Sequence, residues 1–198
     1  LCQPVEKRQV GMVFQDYALF PHLTVKDNIA FGLNSMSAAK KNARVEELAT
    51  MLKITEYLHT YPHRLSGGQQ QRVAVARAMA PKPRILLLDE PFASLDVELR
   101  EVIAREIRQV LKQDGITAIL VSHNQYEAFA MADEIGVMRT GELMQWSTPF
   151  ELYHQPSCPY VADFVGEGVF LNGTVVDAYK VETALGVLED AQPHGYGQ

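Results

Sequence analysis

The sequence predicts an α/β fold built around a parallel sheet. Two short apolar runs, residues 85–88 and 116–121, have the length of buried strands, and the first is apolar on both faces. The segment between them ends at Asp114-Gly115 and carries apolar residues at helical spacing. These residues are Leu99, Val102, Ile103, Ile107, Val110 and Leu111. A strand, a helix and a second strand in this order form a crossover unit, which makes the two strands parallel.

The composition is that of an ordinary globular protein and argues against several classes. The chain has 198 residues, 47% of them hydrophobic, which is enough for one substantial core. A formal net charge of -6 provides no overall basic field for nucleic acid or an anionic membrane surface. The apolar runs fall far short of the roughly 20 residues of a membrane span. Cys2 and Cys158, without Cys-x-x-Cys spacing, favour a reducing cytosol.

The first third of the chain predicts one strand followed by a small helical subdomain. Residues 10–14 form an apolar run typical of a buried strand, which ends at Gln15. From Val25 to about Tyr57 the pattern is helical. One apolar face is expected from Val45, Leu48, Ala49 and Leu52. We therefore expect a helical subdomain over about residues 16–64.

The last third of the sequence predicts short strands and a helix, followed near its end by a small β domain. Two short strands are expected near residues 135–138 and 142–146, followed by a helical stretch to Phe164. Residues 170–176 and 179–188 then alternate apolar and polar side chains around glycines, which predicts the first strands of a small β domain. We expect that domain to be truncated, since two or three strands rarely fold alone.

The strongest local motif is a glycine pair at a predicted helix start. It is the string Leu65-Ser66-Gly67-Gly68-Gln69-Gln70-Gln71-Arg72, which precedes an alanine-rich run. Residues without Cβ let a phosphate approach the backbone, the first N–H groups of a helix point outward, and the helix dipole adds positive charge. The Ser66 hydroxyl can donate a hydrogen bond. A serine-capped loop is the plain alternative, and the length of the whole string favours an anion site.

Polar side chains follow the apolar strands at their carboxyl ends, where open α/β sheets bind ligands. Asp89 can hold Mg²⁺ there, through water, and its neighbour Glu90 can orient or deprotonate an attacking water. His123 follows the second strand and can hydrogen-bond a γ-phosphate. Gln15 can bridge the metal and the water. Solvated or structural polar residues are the alternative, and the shared location of these side chains favours a site.

Together, these motifs resemble those of the ABC ATPases. Five motifs occur in family order and at plausible spacing: the Q-loop glutamine at Gln15, the LSGGQ signature at residues 65–69, the Walker B strand at residues 86–90, the D-loop at Ser94-Leu95-Asp96 and the switch histidine at His123. The resemblance extends from about Val10 through Phe164. It implies a P-loop NTPase fold of the ABC ATPase type over residues 1–165.

The resemblance implies a dimeric ATPase that holds ATP and Mg²⁺ between two protomers. The residues that it places against the nucleotide of the other protomer are Ser66, Gly67, Gly68 and Gln69, with Asp96 at the dimer seam. The residues that it places within one protomer are Glu90 as general base, Asp89 and Gln15 at Mg²⁺, and His123 with Gln15 in catalysis. Nine residues thereby receive an expected role.

The chain departs from the family pattern at the phosphate loop. That loop ends in Gly-Lys-Ser/Thr, and no Gly-Lys dipeptide occurs in this sequence. The chain begins at Leu1 rather than Met, and we expect the Walker A loop, the adenine-stacking aromatic residue and the first strands of the sheet to lie upstream of it. The isolated chain is therefore expected to hydrolyse ATP negligibly.

Three further segments resemble the ATPases of solute importers. Residues 17–25 and 28–33 are similar to subunits that serve ferric iron, polyamine, sulfate and maltose-type importers. The first of these segments, with apolar Leu19 and Phe20, is implied to accept the coupling helices of membrane subunits. The third segment, made of residues 162–166 and 170–175, resembles the junction into a regulatory β-barrel, which implies the start of an OB-like domain over residues 166–198. Ferric iron is mildly favoured as the transported solute.

The resemblance implies a subunit that couples ATP hydrolysis to solute uptake from the cytoplasmic face of the inner (plasma) membrane, as a peripheral protein. The implied partners are a second copy of the subunit, transmembrane permease subunits and, indirectly, a periplasmic or extracellular solute-binding protein. Nucleic acid is not expected. Two alternatives remain: a soluble ABC ATPase acting in translation or DNA repair, and a non-catalytic remnant that only binds a partner.

Overall fold

A computed structural model describes residue 4, residues 8–166 and residues 168–189 of the chain. The chain divides into two compact units. The first comprises the residues up to Gly136 together with Trp146–Pro149, and the second comprises Val137–Gln145 and the residues from Phe150 on. Cys2 lies outside the described residues, and all nine predicted site residues lie in the first unit.

A three-stranded parallel sheet organises the first unit. Its strands are β1 (Val10–Val13), β2 (Ile85–Asp89) and β3 (Thr117–Val121), with β2 in the centre. Val13 pairs with Leu88, and Asp89 pairs with Val121. The prediction of parallel strands joined by a crossover helix is confirmed. Because the strands are parallel, the residues that follow all three of them come out at the same edge of the sheet.

Five α-helices accompany this sheet: α1 (Val25–Ala30), α2 (Ala38–Met51), α3 (Gly67–Met79), α4 (Val97–Asp114) and α5 (Gln125–Met131). Short 3₁₀ turns lie at Thr55–Tyr57 and Pro62–Arg64. The apolar face predicted for α2 is confirmed, since Val45, Leu48 and Ala49 are all buried. Helix α4 ends at Gly115, whose φ of 68° is the left-handed conformation that glycine adopts without strain.

The burial of the sheet corrects one expectation. Leu86 and Leu88 are fully buried, whereas Ile85 is 37% and Ile119 53% exposed. Only Val13 of the first strand is fully buried, so the run at residues 10–14 is not the buried strand that its composition predicts. Successive side chains of a strand point to opposite faces, and among the described residues only one face is covered by packed helices.

Helix α4 corrects a second expectation. The predicted apolar stripe included Leu99 and Val102, which are both exposed. The buried positions are Ile103, Ala104, Ile107, Val110 and Leu111. Val102 lies about 100° around the helix from Ile103, and Leu99 belongs to the first turn, at the end of the packed face. The helix was therefore predicted correctly, but its buried face is narrower than expected.

The rest of the described residues form hairpins and short helices. Strands β4 (Ile135–Arg139) and β5 (Glu142–Ser147) make a two-stranded sheet, in which the exposed Trp146 donates its Nε1–H to Glu134 at 3.1 Å. Two helices follow, α6 (Pro149–His154) and α7 (Pro159–Val165). No helix among the described residues has the length and apolarity that a membrane crossing requires.

The predicted C-terminal strands are present as an antiparallel sheet. They are β6 (Gly173–Asp177), β7 (Lys180–Thr183) and β8 (Gly186–Glu189), with β7 in the centre. Residues 167 and 190–198 of the predicted OB-like domain lie outside the described part of the chain. Its assignment as a regulatory domain, and the boundary at residues 165 and 166, stay predictions.

Candidate functional site

Glu90 and His123 face each other at the carboxyl edge of the parallel sheet. Glu90 directly follows β2, and its N–H donates to the carbonyl of Val121 at 2.9 Å, which holds the two strand ends together. Glu90 Oε1 lies 3.3 Å from His123 Nδ1. The two side chains are 32% and 67% exposed, so the pair is open to solvent. A carboxylate and an imidazole in this arrangement can take up a proton or contact a phosphate.

The backbone of Glu90 adopts an uncommon conformation. Its φ is 42°, in the left-handed region that non-glycine residues rarely enter. Such a residue costs on the order of 1–3 kcal/mol and persists only where surrounding contacts hold it. Here the contacts are the hydrogen bond to Val121 and the N–H of Ala93, which donates to the Glu90 carbonyl at 3.2 Å. The fold thus fixes the direction in which Glu90 leaves the sheet.

Asp89 and Gln15 come from the same edge. Asp89 is the last residue of β2, and Gln15 lies two residues beyond Val13, the end of β1. Both side chains are exposed. The described residues contain no group of three or more His, Cys, Asp or Glu side chains that could hold a metal by themselves. Mg²⁺ is commonly bound through one or two carboxylates together with substrate phosphates, and the oxygens of Asp89 fit that kind of site.

The signature string begins helix α3, as predicted. Ser66 is the N-cap residue, and its Oγ accepts a hydrogen bond from the Gln69 N–H at 3.4 Å. The Gln69 Oε1 in turn accepts from the Ser66 N–H at 2.8 Å, which completes a capping box. The serine-cap alternative is therefore realised. It is compatible with an anion contact, because the cap uses the hydroxyl oxygen of Ser66 as acceptor and leaves its proton available to donate.

The two glycines also bring α3 close to its neighbours. A Cβ on Gly68 would lie 2.9 Å from Ile103 Cδ1 of α4, and one on Gly67 would lie 3.3 Å from Leu95 Cδ2. Both glycines are only partly exposed. The first N–H groups of an α-helix have no partner within the helix, so a ligand can approach the start of α3 while its inner side stays packed.

The segment that precedes α4 is held by its surroundings. Asp96 is the exposed N-cap residue of that helix and makes no capping hydrogen bond with its side chain. Leu95 before it is buried, and the Ser94 hydroxyl donates to the Tyr17 hydroxyl at 2.6 Å. The exposed carboxylate of Asp96 thus follows a segment that is held in place.

Tyr17 begins the importer-like segment of residues 17–25 but was not among the predicted site residues. It lies two residues after Gln15, is buried and has a φ of 63°. Burial raises the pKa of Tyr17, and the hydrogen bond with Ser94 opposes that rise. Arg77 of α3 donates to the carbonyls of Tyr17 and Ala18 at 2.9 and 2.6 Å. Tyr17 therefore links the chain beyond Gln15 to the Ser94 segment, and only the fold reveals this.

The fold and this edge define a class: α/β proteins that bind ligands where parallel strands end. The comparisons with known proteins show which family within that class the chain resembles. The family model described as "ABC transporter" matches residues 2–93, so this part of the chain is similar to that family.

Curated relatives match almost the whole chain. It is 45% identical over 196 residues to the Fe(3+) ions import ATP-binding protein FbpC 2 of Pectobacterium atrosepticum, covering 98% of this chain and 56% of the relative. It is 47% identical over 194 residues to the spermidine/putrescine import ATP-binding protein PotA of Oleidesulfovibrio alaskensis, covering 97% and 51%. An Fe(3+) ions import ATP-binding protein FbpC of Rhizobium etli is 46% identical over 186 residues, covering 93% and 53%.

The chain thus spans about half the length of the curated relatives it matches. The resemblance to ATP-binding subunits of importers, predicted from the motifs, is confirmed.

Proposed function

We propose that the protein is an ATP-binding and ATP-hydrolysing subunit of an ABC importer and that it couples hydrolysis to the uptake of a solute. The observation that carries the proposal is the Glu90–His123 pair, 3.3 Å apart at the carboxyl edge of the sheet. The printed names of the relatives, which describe import ATP-binding proteins for ferric iron and polyamines, support the transport role.

In the proposed reaction, Glu90 is the general base that accepts a proton from the attacking water. His123 lies beside it and contacts the γ-phosphate, while Gln15 orients the water from the neighbouring strand end. Asp89 holds Mg²⁺, whose charge offsets that of the phosphates. The exposure of Glu90 and His123 supports this assignment, because a substrate can reach both side chains.

A second protomer completes the proposed site. The partly exposed start of α3 faces the nucleotide of the partner, and its Gly67 and Gly68 N–H groups together with the Ser66 hydroxyl meet the γ-phosphate. The Gln69 side chain contributes less directly, since its oxygen is already bonded to the Ser66 N–H. Asp96 lies at the seam between protomers, which is supported by its exposed carboxylate that does not cap α4.

The proposed partners are the permease subunits and, through them, a solute-binding protein, with the subunit held at the cytoplasmic face of the membrane. Ferric iron is the favoured solute, since two of the three relatives described above are named for it. The permease and the binding protein select the solute, so transport assays on the assembled complex decide this point. Residues 166–198 are proposed as the start of a regulatory domain.

Replacing the general base tests the proposal. In the protein assembled with its permease subunits, Glu90→Gln is expected to lower ATP turnover at least on the order of 100-fold, the scale of general-base loss, while ATP stays bound. Turnover is measured by phosphate release and binding by retention of radiolabelled ATP.

A suitable control is Glu101→Gln, which changes an exposed carboxylate of α4 in the same way and should leave turnover unchanged. Normal turnover in Glu90→Gln would remove Glu90 from its role. Co-purification with ribosomes or DNA instead of membrane subunits would favour a soluble ABC ATPase over an importer.

A further inference from the structure

Glu127 of α5 is a buried carboxylate that the proposed reaction does not use. Only 3% of this residue is exposed. A carboxylate in such surroundings is costly unless it is paired and hydrogen-bonded. Its Oε2 accepts a hydrogen bond from the Ser122 hydroxyl at 2.5 Å, and its Oε1 lies 3.8 Å from Arg100 Nη1. Glu127 therefore sits between two partners that belong to different parts of the chain.

Arg100 connects Glu127 to the segment before α4. Its Nε donates to the Leu95 carbonyl at 2.8 Å, and its Nη2 donates to the Ala93 carbonyl at 3.1 Å. The planar guanidinium meets these carbonyls and the carboxylate with three separate nitrogens, a fixed fork that the single nitrogen of an ammonium group lacks. One side chain thus ties Glu127 to the residues that precede Asp96.

Ser122 connects Glu127 to the turn that carries His123. Its Oγ also accepts the N–H of Asn124 at 3.0 Å, so the residues on both sides of His123 are fixed by one hydroxyl. The Asn124 Oδ1 then caps α5 by accepting the N–H of Tyr126 at 2.8 Å. Apart from its contact with Glu90, His123 is therefore held in place by a turn that Glu127 anchors.

The geometry points to Glu127 and Arg100 as positioning residues that couple the His123 turn to residues 93–96. A displacement of the Asp96 segment would pull on the guanidinium of Arg100 and, through Glu127 and Ser122, on the backbone beside His123. The inference rests on the proposed function, because Asp96 at a protomer seam and His123 at a phosphate give this coupling its use. Through this coupling, closure of the protomer interface at Asp96 would fix the relative positions of Glu90 and His123.

Hydrogen–deuterium exchange of the full chain tests the coupling without any need for hydrolysis. Glu127→Gln is expected to speed exchange in peptides covering residues 93–96 as well as residues 122–124, since both ends lose their common anchor. Arg100→Lys keeps the positive charge but not the planar fork, and it should give the same two-site response. The matched control is Arg105→Lys on the same helix, whose exposed pair with Glu101 contacts neither segment.

Steady-state kinetics of the assembled ATPase supply the second readout. Glu127→Gln and Arg100→Lys should each lower kcat with little change in the KM for ATP, and the double variant should be no slower than the slower single variant. Exchange that changes only around residue 127, or losses in kcat that multiply, would overturn the coupling. If Glu127→Gln does not fold, Ser122→Ala and Arg100→Lys make the same comparison.

The two readouts separate this inference from the proposed function. Two-site exchange together with an assembled ATPase that never hydrolyses ATP would support the coupling and contradict the proposed function. Normal hydrolysis in both variants with single-site exchange would overturn the coupling alone.

Discussion

At the residue scale, Ser66 has one observed role and one proposed role in the same hydroxyl group. Its oxygen caps α3, and its proton is proposed to meet a phosphate. The sequence predicted the pair Glu90 and His123, the proposed catalytic residues, because each follows an apolar strand. It could not predict Glu127 or Arg100 in the same way, since their partners lie elsewhere in the chain and become neighbours only in the fold.

Two substitutions at Ser66 should separate these roles. Ser66→Ala removes the cap and is expected to lower the free energy of unfolding by about 1 kcal/mol. Ser66→Asp keeps a capping oxygen but brings a negative charge toward phosphate, so it should leave stability nearly unchanged and impair hydrolysis in the assembled ATPase. Urea unfolding and phosphate release measure the two effects. Equal hydrolysis by Ser66→Asp and the parent protein would contradict the phosphate contact.

Gln71 offers a test of the core. Its side chain is fully buried, and neither its Oε1 nor its Nε2 has a hydrogen-bond partner among the described residues. Gln71→Met should therefore leave the protein equally stable or more stable by up to about 1 kcal/mol, because an unpaired buried amide is removed.

The control for Gln71 is its neighbour Gln70, whose Nε2 donates to the carbonyls of Pro62 and Leu65 at 3.2 and 3.1 Å. Gln70→Met should lower stability by about 1 kcal/mol, since those hydrogen bonds are lost. Both variants are compared by their urea midpoints. A clear loss of stability in Gln71→Met would show that its amide has a partner, such as a buried water.

At the element scale, an ionic cluster joins three neighbouring parts of the helical packing. Glu106 of α4 receives a hydrogen bond from Lys53, just after α2, at 2.8 Å, and another from Arg72 of α3. Arg72 also donates to the Leu52 carbonyl at 3.0 Å. Burial acts to raise the pKa of Glu106, but the hydrogen bonds and charges of its two partners outweigh it, so that the pKa lies below its ordinary value.

The lowered pKa of Glu106 predicts a loss of stability in acid. The folded state favours the charged carboxylate, so its contribution is fully present above the unfolded pKa of about 4.3 and is lost as the pH falls through the lower folded pKa. Glu106→Gln should therefore be less stable than the parent protein at pH 6, and the difference should shrink toward pH 3. Urea midpoints across this range measure it.

An exposed carboxylate on the same helix provides the comparison for Glu106. Glu101→Gln removes a surface pair with Arg105, which contributes little to stability, so a smaller difference from the parent protein is expected at every pH. A difference for Glu106→Gln that stays constant from pH 6 to pH 3 would contradict the assignment.

The sequence predicted the positions of helices and strands better than it predicted which of their faces are buried. Apolar spacing was enough to predict α4 and the two strands that it connects. Which side of each becomes buried depends on the elements packed against it, which is why Leu99 and Val102 were assigned to the wrong environment. The composition of an aliphatic run such as residues 85–88 does not show whether helices will pack on one face of the strand or on both.

At the scale of the whole molecule, the sequence predicted an α/β protein with a β-rich end, and the structure has both. The parallel sheet and the antiparallel sheet belong to different units. The sequence could predict the edge at which Glu90 and His123 meet, because parallel strands release their following residues on one side. The distance between the two side chains required the structure.

The lack of a lysine-bearing phosphate loop determines the ATPase activity that we expect from residues 1–198. Residues 1–198 contain no Gly-Lys dipeptide and thus no lysine-bearing phosphate loop. A purified chain of these residues is expected to hydrolyse ATP negligibly, although Glu90 and His123 are in place. Phosphate release is compared with that of the assembled ATPase, and a similar rate for both would contradict the expectation.

The hairpin of β4 and β5 determines which spectroscopic signal suits the unfolding experiments. Trp146 is the single tryptophan of the chain. All indole fluorescence therefore arises from one exposed ring, which is hydrogen-bonded to Glu134. Because this ring is already exposed in the folded protein, its emission is a weak signal for the melting of α3 or α4. Circular dichroism, to which all the helices contribute, is the better signal for the substitutions at Ser66, Gln71 and Glu106.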